Sequence, residues 1–343
     1  MRTKKTTILA LALTLIAAIA LCSCNLDATD GIYSEIADST ESTNVTLKAF
    51  LGIYNDEYYY LSDEAVCKIG SQDPLFSSSG DIIIRGASLN AGAFLVLKEN
   101  RSTLKGTITY YADATAEGTD LEGNFNVLLP NGLFYDSTNI YRYNGGVTAI
   151  VSDVTIQYTL VNGDYTFFSV KDGDGNFKFY VIKADGTILF NGIEGSSKTY
   201  IGFQALPSGQ DFILLNYDNS TAKSNLYLLA NGESQVRTDV YTTLKSSIPY
   251  AYSTQVSSFF YNNGENNYII FKCSSYFDMV LVSDDPETDG TVTQVSTGFA
   301  ANLRTADITN ILATDTDGIY IAGTVDSMLY RMDMPNDSST QIR

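Results

Sequence analysis

The stretch Gly163-Asp164-Tyr165-Thr166-Phe167-Phe168-Ser169-Val170 sets a turn doublet directly ahead of a run of aromatic and β-branched residues. Gly and Asp tolerate the positive φ angles that tight hairpins require, and aromatic and branched side chains suit a pleated, half-buried strand. The same phrase returns six times: Asn55-Asp56 before Tyr58 to Leu61, Gly92 before Phe94 to Leu97, Asn131-Gly132 before Leu133 to Tyr135, Gly209 before Phe212 to Leu215, Gly264 before Tyr268 to Phe271, and Asp317-Gly318 before Ile319 to Ala322. An apolar strand precedes each one, as in Leu47 to Ile53, Ile82 to Ala87, Phe125 to Leu129 and Val154 to Leu160. A second hairpin follows in several repeats, at Asn144-Gly145-Gly146, Asp185-Gly186, Asn231-Gly232 and Asn336-Asp337. From Asp56 to Gly318 the mean period is about 44 residues, the length of one four-stranded propeller blade. No long segment carries apolar residues at helical spacing.

Seven units of strand, turn, strand, strand, hairpin, strand predict an all-β chain: a β-propeller of seven four-stranded blades, with the strand before each phrase innermost. Two β-sandwich domains in series also space their turns regularly, but they do not repeat one phrase seven times. The pattern resembles bacterial propeller proteins of the general WD-repeat-like or NHL-like kind, over most of residues 45–343. The Trp-Asp dipeptide of WD repeats is missing because the chain has no Trp.

Ahead of the repeats, Arg2, Lys4 and Lys5 precede a 14-residue uncharged apolar run from Ile8 to Leu21. That layout is an export signal, shorter than the ~20 residues of a membrane-spanning helix. Leu21-Cys22-Ser23-Cys24 resembles the lipobox of bacterial lipoproteins, which implies cleavage before Cys24 and a diacylglycerol on its thiol. Cys22 fits less well because bulky Leu21 stands where a small residue is needed. Cleavage as an ordinary secretory signal near Ala18 or Ala20 is the competing expectation. Residues 25–44, rich in Asp, Ser and Thr, read as a flexible tether. The expected organisation is therefore a signal peptide at 1–23, a lipidated cysteine and tether at 24–44, and one propeller domain at 45–343. Such a protein sits in the cell envelope, held to a membrane by its lipid anchor. Asn25 after Cys24, rather than Asp, favours the outer membrane by the sorting rule known for some bacteria.

The chain carries a net charge of −18, with 21 Lys and Arg against 39 Asp and Glu. Removing Arg2, Lys4 and Lys5 with the signal leaves 18 basic residues and a net charge of −21. Nucleic-acid binding needs clustered Lys and Arg, and no such cluster stands outside the signal, so nucleic acid is excluded as a partner. Cys67 and Cys273 fall in the first and sixth repeats, too far apart around a ring to pair, and are read as buried free thiols.

The chain contains no His. This removes Ser-His-Asp and Cys-His catalysis and His-based zinc sites, and leaves carboxylate, Lys and Tyr chemistry. A carboxylate-dependent, glycosidase-like activity on the propeller face survives that filter, but the sequence nominates no acid pair, and the sialidase Asp-box lacks its closing Trp. The balance favours a binding module over a catalyst, with an envelope protein or a carbohydrate as partner and no cofactor. Asp172, Asp174 and Asn176 alternate in a Gly-containing loop that resembles the start of a calcium loop. It departs from the EF-hand at Phe177 and Lys183 and from the integrin-type loop at Lys178, and a plain turn between the second and third strands of the fourth blade accounts for it as well. The connector from Gln235 to Gln255 carries Arg237, Tyr241, Tyr250 and Tyr252, residue types that anchor protein contacts or pack a connector onto its own blade.

Overall fold

The computed structural model describes residues 47–71, 73–194, 199–206, 209–218 and 223–230, and beyond those the strands between 258 and 341. Every described element is a strand, and the strands form seven antiparallel sheets, each built from consecutive strands in sequence order. The first comprises β1 (Leu47–Tyr54), β2 (Glu57–Ser62), β3 (Ala65–Lys68) and β4 (Phe76–Ser77), and the second β5 (Ile82–Asn90), β6 (Ala93–Asn100), β7 (Gly106–Tyr111) and β8 (Thr119–Asp120). The third comprises β9 (Val127–Leu128), β10 (Phe134–Tyr135), β11 (Ile140–Tyr143) and β12 (Val147–Val151). The fourth comprises β13 (Val154–Asn162), β14 (Tyr165–Asp172), β15 (Phe177–Lys183) and β16 (Ile188–Ile193). The fifth has β17 (Thr199–Ala205), β18 (Phe212–Asp218) and β19 (Lys223–Leu229). The sixth runs β20 (Ser258–Asn262), β21 (Asn267–Lys272), β22 (Phe277–Val282) and β23 (Val292–Phe299), and the seventh β24 (Ile308–Thr314), β25 (Gly318–Gly323), β26 (Leu329–Asp333) and β27 (Ser338–Gln341).

The recurring phrase sits at the first hairpin of the sheets. Between β1 and β2, Asn55 and Asp56 take φ of 52° and 61°; between β5 and β6, Ala91 and Gly92 take 48° and 87°. Two positive angles in a two-residue loop match the right-handed twist of the strands they join. First strands adjoin one another, β1 on β5, β5 on β9, β13 on β17, β17 on β20 and β20 on β24, and β1 also meets β24, which brings the row of sheets round into a ring. This is the β-propeller. Its last outer strand, β27, comes from the C-terminal end of the chain.

Two details differ from the repeat pattern. The fifth sheet has three strands among the described residues instead of four, and the Asn231-Gly232 hairpin expected to lead to its outer strand lies outside them. The strand expected over Phe125 to Leu129 is only Val127–Leu128. Its approach is used otherwise: the Gly106 N–H donates to Asn124 Oδ1 at 2.8 Å and the Phe125 N–H donates to the Gly106 carbonyl at 2.9 Å, tying the connector back onto the second sheet.

The core lies between neighbouring sheets. Leu51, Tyr59, Leu61 and Val66 of the first pack on Ile84, Ala87, Phe94 and Val96 of the second. Leu97 and Ile108 of the second meet Phe125, Leu128 and Phe134 of the third. Phe167, Phe179, Val181 and Phe190 of the fourth meet Tyr200, Phe203, Phe212 and Leu214 of the fifth. Cys67 is buried on β3 as a free thiol; Cys273 lies outside the described residues.

The tightest junction is at Gly106, where a Cβ would stand 1.9 Å from the Phe125 carbonyl oxygen, backbone against backbone. Gly106→Ala is therefore expected to lower stability by about 2 kcal/mol or more. Gly173→Ala, whose Cβ would meet nothing within 4 Å, should stay within about 0.5 kcal/mol of the parent. Chemical denaturation of the two variants side by side checks both; equal effects would contradict the junction.

Candidate functional site

The first strands do not pair evenly with the second. On β5 the register passes from Ile84 opposite Lys98 to Gly86 opposite Leu97, so Arg85 is left as a bulge. On β13 it passes from Ile156 opposite Val170 to Tyr158 opposite Ser169, leaving Gln157. Lys48 stands out of β1 in the same way, Ile201 out of β17 and Thr309 out of β24. Between the bulge and the first hairpin lie five paired residues on β1, β5 and β13 and four on β17 and β24. Five of the seven first strands therefore break register near their start, and β1 and β24 break it a second time, at Leu51 and Leu312.

A bulge bends its strand and re-aims a side chain, and proteins place bulges at rims and beside sites. Here the effect is visible in exposure: Lys48, Arg85 and Gln157 are exposed although Phe50, Ile84 and Val154 in the same strands are buried. Each carries hydrogen-bond donors. Lys48 Nζ lies 3.1 Å from Asp63 Oδ1 and 3.3 Å from the Asp63 carbonyl. Arg85 donates from Nε and Nη2 to Glu99 Oε1 at 3.0 and 2.7 Å. Gln157 donates from Nε2 to the Thr155 carbonyl at 3.4 Å. At the same end of the ring, Arg101 Nη2 reaches Glu64 Oε1 at 2.8 Å and straps the second sheet to the first. The signal in the sequence was slight: Lys48 and Arg85 are cations set within strands that otherwise read as apolar.

The sequence-derived candidates fall elsewhere. Asp172, at the end of β14, opens the turn to β15. Its Oδ1 accepts the N–H groups of Asp174 at 3.0 Å and Asn176 at 2.8 Å, and its Oδ2 faces Lys178 Nζ at 2.8 Å and Asn176 Nδ2 at 3.3 Å. Gly175 takes a φ of 90° to close this turn. Asp172, Asp174 and Asn176 are thus brought together, but the carboxylate that would head a calcium loop is turned onto its own backbone and onto a lysine. Among the described residues, no group of three or more Cys, Asp or Glu is arranged to hold a metal ion. Arg237, Tyr241, Tyr250 and Tyr252, and the cysteine at Cys24, lie outside the described residues.

Other carboxylates serve local structure as well. Asp136 Oδ1 accepts the N–H groups of Thr138 and Asn139, each at 2.7 Å, and its Oδ2 accepts the Tyr141 hydroxyl at 2.7 Å. Glu194, buried at the junction of the fourth and fifth sheets, accepts the Ser169 hydroxyl at 3.0 Å. Burial first and the Glu194 charge second hold the neighbouring Tyr200 phenol far above its usual range.

No protein-family model matches this sequence, and no curated protein does. Among solved structures, one from a study of two prolyl endopeptidases and the role of inter-domain dynamics in their catalysis and specificity aligns with a TM-score of 0.53 at 11% identity, over 87% of this chain and 49% of that one. Dipeptidyl peptidase 4 of Porphyromonas gingivalis aligns with a TM-score of 0.49 at 10% identity, over 92% and 55%. Oligopeptidase B of Leishmania major aligns with a TM-score of 0.46 at 7% identity, over 92% and 52%. The chain spans about half the length of the structures it matches, and the likeness to the first shows a shared fold alone, that of a β-propeller.

The Lys178 ammonium first, and the Asn176 N–H second, hold the Asp172 carboxyl far below the usual carboxylate range. A depressed folded-state value means the turn's contribution is present above the unfolded carboxyl value of about 3.9 and is lost as pH falls through the folded value. Asp172→Asn should therefore melt below the parent at pH 6, with the gap narrowing below about pH 4. Thermal melts across that range check this, and a gap unchanged at pH 2 would contradict it.

Proposed function

We propose that this chain is an envelope lipoprotein, anchored through Cys24, whose propeller is a binding module for a ligand of the cell envelope. The observation that carries the binding reading is the set of bulges in the first strands. Backbone irregularity repeated near the start of the first strand in sheet after sheet accompanies exposed, donor-bearing side chains, Lys48, Arg85 and Gln157, in strands whose other residues are partly buried. The anchor reading rests on Leu21-Cys22-Ser23-Cys24 after the 14-residue apolar run. The acyl chains on a lipidated cysteine contribute about 0.8 kcal/mol per buried methylene, enough together to hold a protein stably at a bilayer. The tether after Cys24 lets the propeller stand off the lipid surface.

The solved structures that resemble the body are peptidases. This chain has no His, so its own residues do not supply the base of a Ser-His-Asp triad.

Two experiments test the two halves of the reading. A palmitate analogue fed to the producing cells is expected to label the chain, with the label lost in Cys24→Ala; a label that survives the substitution sinks the anchor. For the binding half, the chain in detergent is melted against a panel of acidic and neutral envelope saccharides and short peptides. At least one compound is expected to raise Tm, and the triple variant Lys48→Ala, Arg85→Ala, Gln157→Ala to lose that rise. A panel with no response, or a response the triple variant keeps, counts against the bulges as the binding surface.

A further inference from the structure

In an Asn-Gly pair the glycine has no Cβ, which leaves its backbone nitrogen open to the side-chain amide ahead of it. The described residues contain four such pairs: Asn131-Gly132, Asn144-Gly145, Asn162-Gly163 and Asn191-Gly192. The fold holds three of them. Asn131 Nδ2 donates to Thr166 Oγ1 of the fourth sheet at 2.8 Å, and the Gly132 N–H donates to the Leu129 carbonyl at 3.0 Å. Asn162 Oδ1 accepts the Ala205 N–H of the fifth sheet at 3.3 Å. Asn191 and Gly192 stand in β16, opposite Tyr180 and Phe179, and Gly192 is buried. Asn144 differs. Tyr143 opposite Val147 is the last pair of β11 and β12, so Asn144, Gly145 and Gly146 form a loop outside the ladder. All three are exposed, Gly145 takes a φ of 71°, and a Cβ on it would meet nothing within 4 Å. The Asn144 N–H donates to the Gly146 carbonyl at 3.1 Å, but neither the Asn144 carboxamide nor the Gly145 N–H makes a hydrogen bond among the described residues.

We propose that Asn144 is a site of spontaneous covalent modification, where the exposed hairpin converts with time to aspartate and isoaspartate. The Gly145 nitrogen attacks Asn144 Cγ and releases its proton to water. The N–Cγ bond forms, the Cγ–Nδ2 bond breaks, and Nδ2 takes up a proton from water and leaves as ammonia. The resulting succinimide then adds one water. Opening at Cγ gives aspartate; opening at the Asn144 main-chain carbonyl gives isoaspartate, whose backbone is one methylene longer. One water is consumed, one ammonia is released, and no electron is transferred. Ring closure requires the Asn144 side chain and the peptide that follows it to turn toward each other, and no hydrogen bond of the carboxamide or of the Gly145 N–H opposes that turn. At Asn131, Asn162 and Asn191 the same rotation breaks a bond to a neighbouring sheet or disturbs a strand ladder. Each hydrogen bond given up on the way to the transition state slows closure by about tenfold. Either product places a carboxylate at the hairpin tip where a neutral amide stood, on a chain already at −18.

The test follows the full chain in detergent, incubated at mildly alkaline pH and sampled over time, with its peptides mapped by mass spectrometry after separation of the asparagine, aspartate and isoaspartate forms. Asn144 is expected to lose its amide about tenfold or more faster than Asn131, Asn162 and Asn191, and to yield both products. The same incubation in concentrated urea supplies the control, because all four asparagines are followed by glycine and differ only in what the folded sheets do to them. There the advantage of Asn144 is expected to disappear. An Asn144 that stays intact in the folded chain overturns the proposal. So does conversion of Asn131, Asn162 or Asn191 as fast as that of Asn144 in the folded chain, or an Asn144 advantage that persists in urea.

Discussion

Phe167 of the fourth sheet lies 4.8 Å from Tyr200 and 5.9 Å from Phe203 of the fifth, ring centre to ring centre, and Phe203 stacks on Phe212 at 5.2 Å. Contacts of this kind between neighbouring sheets are what the rest of the molecule depends on. A sheet of two- to nine-residue strands cannot bury both of its faces alone, and apolar residues line the faces that neighbouring sheets share. Each sheet is stable only as the wall of the next. The aromatic count of the chain, 24 Tyr and 17 Phe, reflects this need. Large rings fill the wedge-shaped gap between radiating sheets, and edge-to-face pairs such as Phe125 with Phe134 at 4.9 Å add about 0.5–1.5 kcal/mol each beyond the area they bury. The same demand leaves Gly106 without room for a side chain, because there the backbone of a connector replaces a ring in the gap.

The architecture was legible in the sequence because its punctuation is chemical. Asn55-Asp56 and Gly92 mark hairpins through the φ angles they tolerate, and that tolerance is a property of the residue itself. Strand order followed from the spacing of those marks, as did the position of Asp172 to Asn176 between the second and third strands of the fourth sheet. The bulges were not legible, for an equally definite reason. A bulge is a mismatch between two strands, so Arg85 becomes the odd residue only once Gly86 is known to lie opposite Leu97. Nothing in Ile82-Ile83-Ile84-Arg85-Gly86 read alone distinguishes a bulge from an ordinary outward-facing position. The Glu194 and Ser169 pair was hidden likewise, being 25 residues apart and joined only when β14 and β16 fall in one sheet.

Asp172 illustrates how residue type can mislead where geometry decides. Alternating acids and glycines satisfy both a cation site and an Asx-type turn, and the two differ only in what the carboxylate oxygens face. Lys178, two residues beyond Asn176, faces one of them. The turn thereby carries its own counter-ion, and the β14–β15 hairpin closes without help from a ligand. The bulges of the first strands present the reverse case, residues of no motif set in like positions by the repeated geometry of the strands.

Each sheet of this propeller is made of strands adjacent in the chain, and the seventh is completed by β27 from its own repeat, not by a strand borrowed from the other end. The order in which the sheets occur along the polypeptide is thus separable from their order around the axis. A chain opened at the short connector between β12 and β13, at Ser152 and Asp153, and rejoined between its original ends through a linker long enough to span them, would still contain seven uninterrupted sheets. Permutation of that kind leaves every hydrogen-bonded pairing among the described strands as it is.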